Sequence, residues 1–231
     1  MSSKAQNSVP EINRLVIVGL GLIGSSLAIA AREQGLAKTV IGISRRTSTL
    51  ELALELGVID RACESLESLA SELDFGDLVV IGVPTLSVPS VIAVCHNFLS
   101  DRVTITDVAS VKGSVVKSVL DIYGKLPVQF VPGHPIAGSE KSGVEAANSQ
   151  LFKDHRVILT PHNTADCKHL NLVSALWSSV GAVVSTMSVD EHDSILAATS
   201  HLPHFLAYSL VDTLASVGDN REIFRYAAGG F

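Results

Sequence analysis

The stretch RLVIVGLGLIGSSLA, residues 14–28, decides the fold because it reads as a buried strand, a tight turn and the start of a helix. In this setting a first glycine permits the turn, a second lets the backbone approach a pyrophosphate, and a third lets helix and strand pack closely. We therefore predict a dinucleotide-binding turn, rather than a glycine-rich turn without a ligand. Its residues are Gly19, Gly21, Leu22, Ile23 and Gly24.

Strand and helix patterns alternate along the chain from residue 14 to about residue 188. Short runs rich in β-branched residues are typical of buried strands, and amphipathic segments follow most of them. The alternation predicts an α/β fold, with a Rossmann-like, doubly wound and mainly parallel sheet. The strand candidates are 14–18, 39–43, 77–84, 102–108, 127–131, 156–160 and 182–187.

The two ends of the chain differ from this middle part. Residues 1–13 are polar, lack the apolar segment of a secretory signal, and read as a loose tail. Residues 189–231 have a helical period and no strand signal, and so predict the first part of an all-helical domain. One long helix cannot bury its own apolar face, so we expect this region to be truncated or to pack on a partner.

Composition limits the partners of the protein. The chain has 231 residues and a net charge of -6, which argues against a nucleic-acid surface. No apolar run is long enough to cross a bilayer, so no membrane partner is expected either. Its three cysteines are far apart and in no metal-binding spacing, which predicts free thiols and a cytoplasmic protein. We therefore expect a small-molecule substrate.

The end of the second strand bears on the choice of dinucleotide. An acid usually stands there in NAD enzymes, where it binds the ribose 2′-hydroxyl. This sequence has Ser44, Arg45 and Arg46 instead. Two guanidinium groups suit a 2′-phosphate, so the sequence favours NADP as the cofactor, with NAD possible. The alternative is a solvated basic turn before a helix.

Two loops at the carboxyl ends of strands carry candidate chemistry. Ser110 follows the strand 102–108, and Lys112 supplies a nearby charge. The alternative is that Asp107 or Ser110 caps the next helix, and the two roles are compatible. His134 follows the strand 127–131 in a glycine-containing loop, and histidine is the commonest general base. Taken alone, a loop histidine is more often an ordinary surface residue.

The segment SHLPH places His201 and His204 one helical turn apart. This spacing invites a metal site, but no acid or cysteine nearby completes a ligand set, so no metal is expected. The alternative is a pair of polar residues at a helix kink, because Pro203 has no backbone N–H to donate.

Four segments, in this order, resemble the prephenate/arogenate dehydrogenase family: GLGLIGSSLA, TDVASVKG, GHPIAGSEKSG and DEHDSILAATSHLPHFLAYSLVDTL. The resemblance implies NAD(P)-dependent oxidative decarboxylation of prephenate to 4-hydroxyphenylpyruvate in tyrosine biosynthesis. Arogenate (cyclohexadienyl) dehydrogenase activity is the related alternative. It also implies a homodimer formed through the helical region. In the family, a substrate-binding arginine and further helices follow the position of GGF, which implies that the sequence stops short of them.

The resemblance also implies roles for individual residues. His134 would accept the proton of the substrate's ring hydroxyl, and Ser110 would orient that hydroxyl. The implied lining of the substrate pocket is Glu140, Ser200, His201 and His204. Pro84 and Thr85 match a loop along the cofactor. Two other functions stay open: another Rossmann oxidoreductase with a helical second domain, and a dinucleotide-sensing module without catalysis.

Overall fold

The computed structural model describes residues 11–162, 165–217 and 225. The chain divides into two compact units, Met1–Val189 and Asp190–Phe231. Most of the predicted tail lies outside the described residues, and the first strand begins at Ile12, inside the stretch predicted as tail.

A six-stranded sheet forms the centre of the first unit. Its strand order is β3-β2-β1-β4-β5-β6, and every neighbouring pair is parallel. The predicted doubly wound, mainly parallel sheet is therefore confirmed. The sequence did not indicate β3, which has only three residues and one exposed end. The strands are β1 (Ile12–Val18), β2 (Ala37–Ile43), β3 (Arg61–Cys63), β4 (Leu78–Ile81), β5 (Thr104–Asp107) and β6 (Phe130–Val131).

Helices cover both faces of this sheet. Alternate side chains of β1 point to opposite faces, so that Leu15 and Ile17 join one apolar cluster while Val16 and Val18 join the other. All four of these side chains are buried. Two clusters on one strand mean that the sheet is buried on both sides, which explains its continuous apolar runs. The helices are α1 (Leu22–Glu33), α2 (Thr47–Glu55), α3 (Leu66–Leu69), α4 (Val88–Phe98), α5 (Lys112–Tyr123) and α6 (Cys167–Ser179).

A second, three-stranded sheet was not expected from the sequence. It contains β7 (Gly133–Pro135), β8 (Arg156–Leu159) and β9 (Val183–Thr186). β7 pairs with β8 antiparallel, and β8 pairs with β9 parallel. Only Pro132 separates β6 from β7. Because proline cannot donate to a sheet ladder, it marks the point where the chain passes from the first sheet to the second.

The second unit is helical in its described part, as predicted. α7 (Val189–Leu196) starts at the boundary, a π-helical turn spans Ala197–His201, and α8 (Leu202–Ala215) follows. Pro203 lies in the first turn of α8. Its missing N–H gives a physical reason for the irregular turn before it, where the sequence had predicted a kink. Among the described residues, no helix is both long enough and apolar enough to cross a lipid bilayer.

All three cysteines are free thiols, as predicted. Cys95 lies on the buried face of α4, whereas Cys167 is exposed at the start of α6. Burial raises the pKa of the Cys95 thiol to about 12, because the thiolate would lose its solvation there. Cys95 is therefore a small apolar core residue and not a reactive group.

Candidate active site

A cavity of about 890 Å³ opens at the carboxyl ends of β1, β2, β4 and β5. It lies at the point where the strand order reverses between β1 and β4, which is where open α/β sheets bind ligands. The structure brings most of the predicted site residues together around it. Those that line it are Gly19, Gly21, Leu22, Ile23, Ser44, Arg45, Arg46, Pro84, Thr85, Ser110 and His134.

The three glycines of the first turn have different surroundings. Gly19 has a φ of +104°, and a Cβ there would lie 2.7 Å from the carbonyl carbon of Gly82. A Cβ on Gly24 would lie 2.4 Å from the carbonyl oxygen of Gly19. A Cβ on Gly21 would have no heavy atom within 4 Å. Gly19 and Gly24 thus allow the turn to pack tightly against neighbouring backbone atoms, whereas Gly21 leaves open space on the cavity side.

The start of α1 makes this open space favourable for a negatively charged group. Helix geometry leaves the first N–H groups of α1 without carbonyl acceptors, and the helix dipole is positive at this end. No acidic residue stands in the first turn to neutralise it, and Leu22 and Ile23 line the cavity. A site with these features favours a phosphate, so the residues present fit the pyrophosphate of a dinucleotide.

The end of β2 presents cations to the same cavity. Arg45 and Arg46 are exposed, and in the part of the chain that the structure describes neither guanidinium pairs with a carboxylate. The hydroxyl of Ser44 accepts the backbone N–H of Arg46 at 3.3 Å, which shapes the turn into α2. Thr49 also lines the cavity and was missed. It stands three residues after Arg46, the residue that caps α2, so helical spacing could have found it.

Ser110 lies in the turn between β5 and α5, with its side chain exposed at the cavity. The alternative that Asp107 or Ser110 caps α5 is wrong, because Val111 occupies the cap position and makes no side-chain bond. The charge expected from Lys112 is also absent from the cavity surface. Lys112 is fully buried and is paired with Asp107.

His134 lies on a strand and not in the expected loop. β7 pairs its backbone opposite Ile158 of β8, and its side chain is only 9% exposed. The glycine before His134 packs against the first sheet. A Cβ on Gly133 would lie 3.0 Å from the carbonyl oxygen of Asp107, so this glycine lets β7 approach β5 rather than a substrate. A sheet ladder holds His134 more rigidly than a loop would, which suits a residue that must be positioned accurately.

Within the first unit, Gly24 and Glu140 are not among the residues that line this cavity. Gly24 lies beneath the turn, and Glu140 is exposed on the segment after β7. Ser200, His201 and His204 belong to the second unit, where the Nδ1 atom of His204 lies 2.8 Å from the carbonyl oxygen of Ser200. No three histidine, cysteine, aspartate or glutamate side chains within the described ranges gather as metal ligands would.

Comparison with known families and proteins agrees with this geometry. The family model described as the nucleotide-binding domain of prephenate dehydrogenase matches residues 27–186. The model described as the prephenate dehydrogenase dimerization domain matches residues 188–231. The two matches together extend over both structural units.

Individual relatives are similar over nearly the whole chain. The chain is 36% identical to a cyclohexadienyl dehydrogenase of Zymomonas mobilis over 94% of its length, and it spans 73% of that protein. It is 38% identical to a prephenate dehydrogenase of Bacillus subtilis, again over 94% of its length, but it spans only 58% of that protein.

A solved structure shares the fold at similar identity. The prephenate dehydrogenase of Aquifex aeolicus, crystallised with hydroxyphenyl propionate and NAD⁺, superposes with a TM-score of 0.85 at 37% identity. The match covers 95% of this chain and 76% of that one.

Proposed function

Because the chain belongs to the prephenate dehydrogenase family, we propose that it catalyses the NAD(P)-dependent oxidative decarboxylation of prephenate to 4-hydroxyphenylpyruvate, a step of tyrosine biosynthesis. One observation supports the proposal most directly. A single cavity combines a phosphate-binding glycine turn with Ser110 and His134, so that cofactor and proton chemistry share one space. Arogenate is the alternative substrate, which the name of the Zymomonas relative keeps open.

In this proposal the protein supplies a base and a fixed geometry. His134 accepts the proton of the ring hydroxyl, and Ser110 orients that hydroxyl by hydrogen bonding. The glycine turn and α1 hold the cofactor's phosphates, and Pro84 and Thr85 border the cofactor. When bound, the nicotinamide supplies the acceptor for the hydride that leaves the carbon bearing the hydroxyl. Loss of carbon dioxide then leaves an aromatic ring, which makes the reaction effectively irreversible.

Other parts of the proposal rest on the family resemblance. Glu140, Ser200, His201 and His204 are proposed to contact the substrate. A homodimer through the helical region is proposed because the apolar side chains of Leu202, Phe205 and Leu206 on α8 are exposed. Free thiols favour a reducing compartment, so a cytoplasmic location is part of the same proposal.

The first test is turnover by this chain, followed by the absorbance of the reduced nicotinamide. We expect reduction of NADP that depends on prephenate, slower reduction of NAD, and slower turnover of arogenate. Turnover of arogenate but not of prephenate would identify arogenate as the substrate. Binding of NADP without turnover of either substrate would contradict the proposed enzyme and favour a dinucleotide-sensing module.

The preference for NADP is proposed from the two unpaired arginines. Replacing both Arg45 and Arg46 by alanine should raise the Kd for NADP about 10- to 100-fold, because charge-assisted hydrogen bonds to the 2′-phosphate are lost. The Kd for NAD should change less than about twofold, because NAD carries a 2′-hydroxyl there. Lys125→Ala removes an exposed charge away from the cavity and is the matched control. Equal weakening of both cofactors would contradict the assignment.

A further inference from the structure

A buried ion pair lies beneath the cavity. Lys112, the first residue of α5, pairs with Asp107, the last residue of β5, and neither side chain has any solvent exposure. Removing two charges from water is costly, and apolar residues of similar size often serve stability equally well. The pair therefore calls for an explanation other than stability alone.

Both members of the pair bind the residue that precedes His134. The ammonium group of Lys112 donates to the carbonyl oxygen of Gly133 at 2.5 Å. The N–H of Gly133 lies 3.3 Å from Oδ1 of Asp107 and donates to it. The start of β7 is thus bound to β5 and α5 on one side, while the ladder with β8 holds it on the other.

The same carboxylate also shapes the turn that carries Ser110. Oδ2 of Asp107 accepts the N–H of Ala109 at 2.9 Å, next to its bond with Lys112. Ser110 lies between the two charged residues in the sequence. One carboxylate and one ammonium group therefore hold the backbone at the residues just before Ser110 and His134, namely Ala109 and Gly133.

We propose that Asp107 and Lys112 are positioning residues that set the geometry of Ser110 relative to His134. The inference rests on the proposed function of those two residues. Because Lys112 is fully buried, it has no surface with which to contact a substrate, so its effect acts through partners such as Gly133 and Asp107. A displacement of about 1 Å at a reacting group can cost on the order of 100-fold in rate.

The test is Lys112→Met, which keeps the length of the side chain and removes its charge and hydrogen bonds. We expect kcat to fall about 100-fold, with the KM for prephenate and the Kd for NADP changed by less than about threefold. Lys117→Met is the matched control, since Lys117 is on the same helix in an exposed pair with Asp121. It should leave kcat within about twofold of the parent protein.

Lys112→Arg is a second variant at the same position. If Lys112→Met does not fold, Lys112→Arg retains the charge, but its planar fork does not reproduce both contacts of the ammonium, so kcat should still fall. Unchanged kcat in the folded variant, or a raised KM with unchanged kcat, would overturn the proposal.

A readout without turnover separates this inference from the proposed function. The ring signals of His134 in NMR spectra, assigned by their loss in His134→Asn, should move in Lys112→Met and stay in place in Lys117→Met. Absence of turnover in the parent protein would defeat the proposed reaction and leave this readout usable. Ring signals unmoved by Lys112→Met would overturn the positioning role, whatever the parent protein's activity.

Discussion

Replacing His134 by asparagine should lower kcat with prephenate by about 100- to 10,000-fold, while the Kd for NADP stays within about twofold. Asparagine is polar and smaller than histidine, so it fits the 9% exposed position on β7 without overpacking. It cannot accept a proton near neutral pH, which is the step assigned to the imidazole. Loss of the base with retained binding is therefore the expected pattern.

The measurement is steady-state turnover together with a fluorescence titration of NADP. His155→Asn is the matched control, because His155 is exposed on the turn before β8 and should tolerate the change. Turnover that survives the substitution would remove His134 from the mechanism.

The overall fold was predictable because local signals agreed with one another. The run before Gly19 is apolar and β-branched, the glycines follow in the required spacing, and a helix pattern comes next. The second sheet was not predictable in the same way. Only Pro132 separates β6 from β7, and the partner of His134 is Ile158, far along the chain. Periodicity identifies a strand but does not identify its neighbour.

The sequence predicted those site residues whose location follows from their position at the end of a strand. The carboxyl ends of parallel strands meet at one edge of a sheet, so Ser44 and Ser110 could be placed together from order alone. The environment of Lys112 could not be inferred, because burial depends on contacts with Gly133 that the local sequence does not encode. The same limit explains why His134 was expected in a loop.

The second unit was also predictable from the sequence only in part. Its helical period was visible in the sequence, and α7 and α8 are helical as expected. The π-helical turn at Ala197–His201 was not visible, since it depends on how the backbone adjusts to Pro203. The substrate contacts of Ser200 and His201 belong to the proposal, which takes them from the family resemblance.

Alanine substitutions at two glycines of the first turn should have different effects, one mainly on stability and the other mainly on NADP binding. Gly24→Ala places a Cβ 2.4 Å from the carbonyl oxygen of Gly19 and 2.9 Å from Cγ2 of Ile17, so α1 must shift away from β1. The expected loss in the free energy of unfolding is about 1–3 kcal/mol, the usual cost of overpacking. Gly21→Ala meets no atom within 4 Å, so its free energy of unfolding should change by less than about 1 kcal/mol.

For Gly21→Ala we expect a large effect on NADP binding, in contrast to its small effect on the free energy of unfolding. The added methyl group of Gly21→Ala occupies space at the cavity where a pyrophosphate would approach the backbone, so the Kd for NADP should rise at least about tenfold. Urea unfolding can be followed by the fluorescence of Trp177, which is fully buried and is the single tryptophan of the chain. Gly138→Ala is the control, because it meets no atom within 4 Å and lies outside the cavity. If Gly21→Ala bound NADP as tightly as the parent protein, the turn would not be the pyrophosphate site, and its open space would need another ligand.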